Sequence, residues 1–182
     1  MRNKIILASA SPCRLALLAQ IGITPDQVIP ADIDETLLKG ELPQCFALRL
    51  SQEKASKIRE TSKDSIIIAA DTVVAAGRRV LDKPVDEEDA SRILKILSGR
   101  RHKVFGGICV LDTNGKAHTR LVETIVSFRR LNEADITEYI ASREWEGKAG
   151  AYAIQGLAST YVKFLSGSYS NVIGLSLYDT VN

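Results

Sequence analysis

Short apolar runs alternate along the chain with longer stretches in which apolar positions recur every three or four residues, and glycine, proline and small polar residues mark the changes. The first run predicts a strand from Lys4 to Ala8. It stops at Ser9 and Ser11, and a helix follows from about Pro12 to Gln20, with Ser11 as N-cap, Pro12 at the first helical position and Gly22 as the stop. Val28 to Ile33 reads as a second strand. Gln44 to Glu60 reads as an amphipathic helix with Phe46, Leu50, Ala55 and Ile58 near helical spacing. The most apolar run, IIIAADTVVAAG, predicts a strand that Gly77, Arg78 and Arg79 turn back into Val80 and Leu81.

The segment VDEEDASRILKILSG predicts a helix with Asp86 at its cap, acidic residues in its first turn and Gly99 at its end. KVFGGICVLD and VETIVSF are β-rich runs separated by Thr113, Asn114 and Gly115, which predicts an antiparallel hairpin. A helix from about Asn132 to Ala141 precedes the glycine-punctuated GKAGAYAIQG, the strand YVKFLSG and one last short helix after Asn171. Strands and helices mix along the whole length and include a hairpin. The fold class is therefore α/β, a mixed β-sheet flanked by helices rather than a purely parallel one. No repeat, low-complexity segment or linker interrupts the pattern, and residues 1–182 read as one domain of a size that supports one core.

Composition narrows the function classes. The net charge is +2, no basic run exceeds the pairs Arg78-Arg79, Arg100-Arg101 and Arg129-Arg130, and aromatics make up 5%, so neither nucleic acid nor a membrane surface is an expected partner. Cys13, Cys45 and Cys109 lie far apart with no CxxC spacing, which suggests neither a disulfide framework nor a zinc site and fits a reducing cytoplasm. No apolar run reaches membrane-spanning length, and Ile5 to Ala10 is too short for the core of a signal peptide. The phosphate loop GxxxxGK[ST], the dinucleotide fingerprint GxGxxG and the elbow GxSxG are all absent from the sequence.

Two residues then stand out. Arg14 falls in the first turn of the predicted helix, where a cation repels the helix dipole unless an anion is bound there too. With Ser9, Ser11 and the first helical amides it suits a phosphate, although a capped helix with a solvated arginine has the same sequence. Asp71 stands inside IIIAADTVV, where a buried carboxylate needs a cation, a metal or several donors; the alternative is a place at an exposed strand end. Asp34 and Glu35 add carboxylates. With only His102 and His118 available, any metal should be hard, magnesium or manganese held jointly with substrate phosphates, and Lys54, Lys83 and Lys148 are candidates to neutralise those phosphates. A thiol nucleophile at Cys13 has no histidine near it in sequence.

LASASPCR, the IDE segment, RLSQEKA, AADTVV, DKPVDEEDA, LSGRRHKV, GKAGAYAIQG and GSYSNVIGL together, in this order, resemble the Maf family of nucleoside triphosphate pyrophosphatases. The resemblance implies an ITPase-like fold, a homodimer, and a cut between the α and β phosphates that depends on Mg2+ or Mn2+. It makes Asp71 the catalytic carboxylate and proton acceptor, with Glu35 beside it at the metal, and makes Ser9, Arg14, Lys54 and Lys83 the groups that hold the triphosphate. Thr72 and Gln155 match the members acting on dTTP and UTP. Cys13 replaces the first arginine of the SPRR pattern at a third specificity position, and cysteine cannot make that side chain's planar two-pronged contact. The alternatives are a broad or 7-methyl-GTP specificity, and a nucleotide-binding regulator of septum formation without significant turnover. Gly106 in place of a common threonine, Ser176 in place of proline, and a last helix cut short at Asn182 are further departures, the last two read as structural.

Overall fold

Ile6, Leu7 and Ala8 form a continuous apolar run, which suits a strand buried on both faces, and all three side chains are fully buried. A computed structural model of the chain, describing residues 3–182, places them in β1 (Lys4–Ala8). β1 lies parallel to β2 (Gln27–Val28) on one side and to β3 (Ser65–Ala76) on the other. β3 returns through Gly77 into β4 (Arg79–Leu81) and pairs antiparallel along its opposite edge with β5 (Arg101–Leu111). β6 (Ala117–Phe128) and β7 (Val162–Ser166) continue the antiparallel part. The order is β2-β1-β3-β5-β6-β7, with β4 on the edge of β3, so the expected mixed sheet is present.

The two-residue alternation of β3 divides the core. Ile67 and Ala69 pack with Ile6, Ala8 and Cys109 against Ala55 and Ile58 of α2 (Pro43–Arg59). Ile68 and Ala70 pack with Leu7 and Ile108 against Leu17 and Leu18 of α1 (Pro12–Gln20). Burial of each such leucine or isoleucine contributes about 1.5–3 kcal/mol. A third cluster, centred on Phe128 and Tyr139, holds α3 (Glu87–Leu97) and α4 (Glu133–Ala141) against the far half of the sheet. α3 is capped by Asp86 as its sequence predicts, and Asn132 caps α4 with Asp135 bonding back to the Asn132 amide.

Four details differ from the sequence pattern. The second strand is confined to Gln27–Val28: the Ile29 amide still bonds to the Leu7 carbonyl, but Pro30 has no donor to continue the ladder. β6 starts at Ala117 rather than Val122, because its first half is exposed and therefore carries no apolar signal. The C-terminal region holds two short helices, α5 (Tyr169–Ile173) and α6 (Leu177–Val181), where one was expected; Asn171 lies inside the first, and Ser176 caps the second. Ser11 occupies the N-cap position of α1, but its side chain makes no cap bond; Ser9 Oγ instead accepts from the Ser11 amide at 3.1 Å.

His102 on β5 is 2% exposed, with Nε2 2.8 Å from the Tyr152 hydroxyl and its ring edge-on to Phe128. Burial holds this imidazole down at about 4. The unfolded chain binds a proton near pH 6.5 that the folded chain refuses until about pH 4, so the stability contributed by neutral His102 is present above that window and lost as pH falls through it. Urea unfolding of His102→Asn, which cannot titrate, is expected to show a flatter pH dependence of stability over this range than the parent; equal slopes would assign the acid sensitivity to other groups.

Candidate active site

Along one edge of β3, β1 pairs with residues 65–69 and β4 with residues 74–76, so residues 70–73 have no strand partner on that side. Asp71 and Thr72 lie in this gap, and on the other edge they pair with Gly107 and Gly106. Their side chains leave opposite faces of the sheet, Asp71 toward α2 and Thr72 toward α1, yet both line one cleft of about 460 Å³. Turns at the ends of β1 and β4 and the stretch from Glu146 to Gln155 complete its walls.

On the α2 side, Phe46, Leu50 and Ile58 form a buried stripe at four-residue spacing, and Lys54 occupies the remaining position in it. Its ammonium donates to Asp71 Oδ1 at 2.6 Å and to Glu35 Oε1 at 2.8 Å. Lys54 and Asp71 are each 8% exposed, which a charged side chain sustains only when paired. Burial pushes the Glu35 carboxyl up, but the hydrogen bond and charge of Lys54, with Lys83 and Arg14 behind it, outweigh that and hold it below the usual carboxylate range. Asp71 thus stands in mid-strand rather than at an exposed end. Lys83 sits exposed at the rim after β4 and makes no ion pair among the described residues. Gly107 permits this proximity: a Cβ there would lie 2.1 Å from the Ala47 carbonyl oxygen, so α2 rests directly on the backbone of β5.

On the α1 side, the Arg14 guanidinium donates to Ser9 Oγ at 3.0 Å, to Thr72 Oγ1 at 3.1 Å and to the Gly174 carbonyl at 2.9 Å. All three partners are neutral, so the charge is oriented without being neutralised in direct contact. Two of its five N–H groups remain for a ligand. Desolvation lowers the Arg14 pKa, and the charges of Asp71 and Glu35 oppose that shift. Gly174 ends α5 with φ 146°, a conformation that other residues rarely adopt, and this aims its carbonyl at Arg14. α5 is tied to the sheet by fully buried Asn171, whose Nδ2 donates to the Val104 carbonyl and Thr124 Oγ1. A Cβ on Gly106 would lie 1.8 Å from Asn171 Oδ1, so glycine at 106 makes room for this asparagine.

At the end of the cleft, Gln155 Nε2 donates to Cys13 Sγ at 3.8 Å. All nine residues singled out from the sequence, Ser9, Cys13, Arg14, Glu35, Lys54, Asp71, Thr72, Lys83 and Gln155, therefore line one cavity. Thr72 is tied to Arg14 and to the Gly174 carbonyl, which makes it part of the arginine's support. Lys148, a further candidate cation, lines the same cavity. Sequence reading missed Gly174 and Asn171. A glycine after a short apolar run is a helix-end signal that could have marked Gly174, whereas nothing local marks an asparagine whose acceptors lie on other strands.

The donor set suits a hard divalent cation: two carboxylates converge on one cationic atom. Among the described residues no group of three or more His, Cys, Asp or Glu side chains could hold a metal by itself, so these two carboxylates would hold one together with substrate oxygens and water.

Residues 4–182 match the Maf family, described as Maf-like protein. The dTTP/UTP pyrophosphatase of Caulobacter vibrioides is 53% identical over 178 residues, covering 98% of this chain and 92% of the relative. The dTTP/UTP pyrophosphatase of Paramagnetospirillum magneticum is 54% identical over 176 residues, covering 97% and 93%. A distant partial likeness, with 18% identity and a TM-score of 0.47 over 70% of this chain and 75% of the other, is to the crystal structure of a nucleoside-triphosphatase, dITP/XTP pyrophosphatase, from Mycobacterium abscessus. The family match and an identity above one half across nearly the whole chain show that this chain belongs to the Maf family.

Proposed function

We propose that the chain hydrolyses dTTP and UTP to the nucleoside monophosphate and pyrophosphate. The observation that carries this reading is the Lys54 ammonium held between Asp71 and Glu35, in a cleft that also contains the oriented Arg14. The names and extent of similarity of the relatives support the substrate class. The same reading takes the chain as a single catalytic unit, residues 1–182, acting as a cytoplasmic homodimer on nucleotides rather than on nucleic acid, in keeping with its small net charge. Among the described residues no helix is long and apolar enough to cross a membrane.

Arg14, with its remaining N–H groups, and the Ser9 hydroxyl hold phosphate oxygens at the start of α1, and Lys83 meets the far end of the triphosphate. Water attacks one phosphorus of the α–β anhydride and the bond from that phosphorus to the bridging oxygen breaks, which gives the nucleoside monophosphate and pyrophosphate. Asp71 Oδ1 is committed to Lys54, so Oδ2 is the atom that orients the water and takes its proton. Glu35 and Asp71 would hold Mg2+ or Mn2+, which when bound offsets charge on the phosphates and acidifies a water. Lys54 holds both carboxylates in place through its two contacts, and Arg14 and Lys83 offset charge gathering on the leaving group. Gln155 and Cys13 face the base.

Asp71→Asn preserves the shape of the side chain and the bond to Lys54, and is expected to keep the circular dichroism of the parent while kcat falls by at least about 100-fold. Pyrophosphate release from dTTP and UTP with magnesium or manganese measures this; full turnover would remove Asp71 from the mechanism. Cys13→Arg supplies a planar donor fork beside Gln155. The ratio of kcat/KM for dTTP and UTP over that for purine triphosphates is expected to rise in this variant, and an unchanged profile would take position 13 out of base recognition.

A further inference from the structure

Gln155 hangs between two anchored amides. Two residues before it, the Ala153 N–H donates to the Tyr139 hydroxyl of α4 at 2.9 Å; two residues after it, the Leu157 N–H donates to Glu144 Oε2 at 2.8 Å. Gly156, next to Gln155, is shaped by the same carboxylate: a Cβ there would lie 1.9 Å from Glu144 Oε2 and 2.5 Å from Cδ. Gly156, at φ −104°, is not in the left-handed region, and the space given to Glu144 is one physical demand for glycine here. The Glu144 backbone is anchored as well. Its amide donates to Ser142 Oγ, and the buried Trp145 beside it donates from Nε1 to the Ile140 carbonyl. Among the described residues its carboxylate makes no ion pair, and the negative charge is directed at the first amide of the 3-10 segment Leu157–Tyr161.

We infer that Glu144 is a positioning residue for base recognition: through the Leu157 amide and the space left by Gly156 it fixes the backbone on which Gln155 reaches into the cleft toward Cys13. This inference rests on the reading that Gln155 faces the base. Glu144 does not line the cleft, and under the proposed function the phosphates lie at Arg14 and Lys83, so loss of Glu144 weakens discrimination between bases and leaves the chemical step alone.

The test compares Glu144→Ala, Glu144→Gln, Gly156→Ala, the double variant Glu144→Ala/Gly156→Ala and Gln155→Ala. For each, kcat and KM are measured for dTTP, UTP, ATP and GTP, and the alkylation rate of Cys13 by iodoacetamide is followed by mass spectrometry. Glu144→Ala is expected to raise KM for dTTP and UTP about tenfold, the effect of one lost hydrogen bond, with kcat within about twofold of the parent. Glu144→Gln, whose amide oxygen still accepts from Leu157, restores KM. Gly156→Ala reproduces Glu144→Ala, but has a smaller effect once Glu144 is alanine, because the added methyl then has space. Cys13 alkylation speeds up in Glu144→Ala and Gly156→Ala as it does in Gln155→Ala. If Gln155→Ala changes base discrimination while Glu144→Ala and Gly156→Ala do not, Glu144 is not the positioning residue. A uniform loss of kcat on all four nucleotides that Glu144→Gln does not rescue overturns the inference too. Unchanged discrimination in Gln155→Ala overturns the underlying reading of Gln155 and the inference with it. If Glu144→Ala does not fold, Gly156→Ala probes the same contact from the other side.

Discussion

An ammonium group held 2.6 Å from one carboxylate and 2.8 Å from another, largely out of water, orders the rest of this molecule. Two carboxylates this close repel each other, and the ammonium between them offsets that repulsion. Lys54 and Asp71 are both buried, and such a pair is stable only because each satisfies the other; removal of one partner from a buried pair typically costs about 3–5 kcal/mol. The cost of desolvating these charges is offset by the apolar packing on either side of them, where Ile67, Ala69, Leu50 and Ile58 are all buried.

The sheet is built to allow this. β3 passes between a parallel and an antiparallel neighbour along one edge, and the gap between them exposes the ends of two adjacent side chains that leave opposite faces. A ligand at such a break can touch both faces at once, for the same reason that open α/β sheets bind ligands where the strand order changes. The adjacent glycines of β5 then bring support close from both sides. Gly107 lets α2 settle on the backbone, and Gly106 admits Asn171, which fixes α5 and, through Gly174, the aim of Arg14. A methyl group at Gly107 would meet the backbone of α2 and push that helix away, and one at Gly106 would displace the Asn171 side chain that ties α5 to the sheet.

Much of this was legible from the sequence. Asp71 announces itself because a carboxylate in an apolar strand needs a partner, and Arg14 because a cation at a helix start needs an anion or an acceptor. Lys54 carries a quieter signal: spacing of four from Phe46, Leu50 and Ile58 places it on the buried stripe of α2, although the motif alone says only that a lysine follows a glutamate. Thr72 is different. The family pattern sets it among the specificity positions, and the hydrogen bonds show a hydroxyl already committed to Arg14 and the Gly174 carbonyl. The exposed start of β6 and the split of the last helix escaped pattern reading, since exposed strand residues lack periodic burial and a short helix lacks a full turn of apolar spacing on each side.

The sequence by itself determined the periodicity of the main strands and helices, the alternation that sends Asp71 and Thr72 to opposite faces, and the charged groups available for phosphate chemistry. These are local properties, set by backbone geometry and by the cost of burying an unpaired charge. The tertiary structure alone decided which of those groups meet: that Lys54 reaches Asp71 and Glu35 together, that Arg14 is held by a carbonyl 160 positions away, and that Gln155 comes to Cys13 from 142 positions off. Such pairings depend on strand order and on how closely helices approach the sheet, and those follow from the packing of the whole core rather than from any stretch of it.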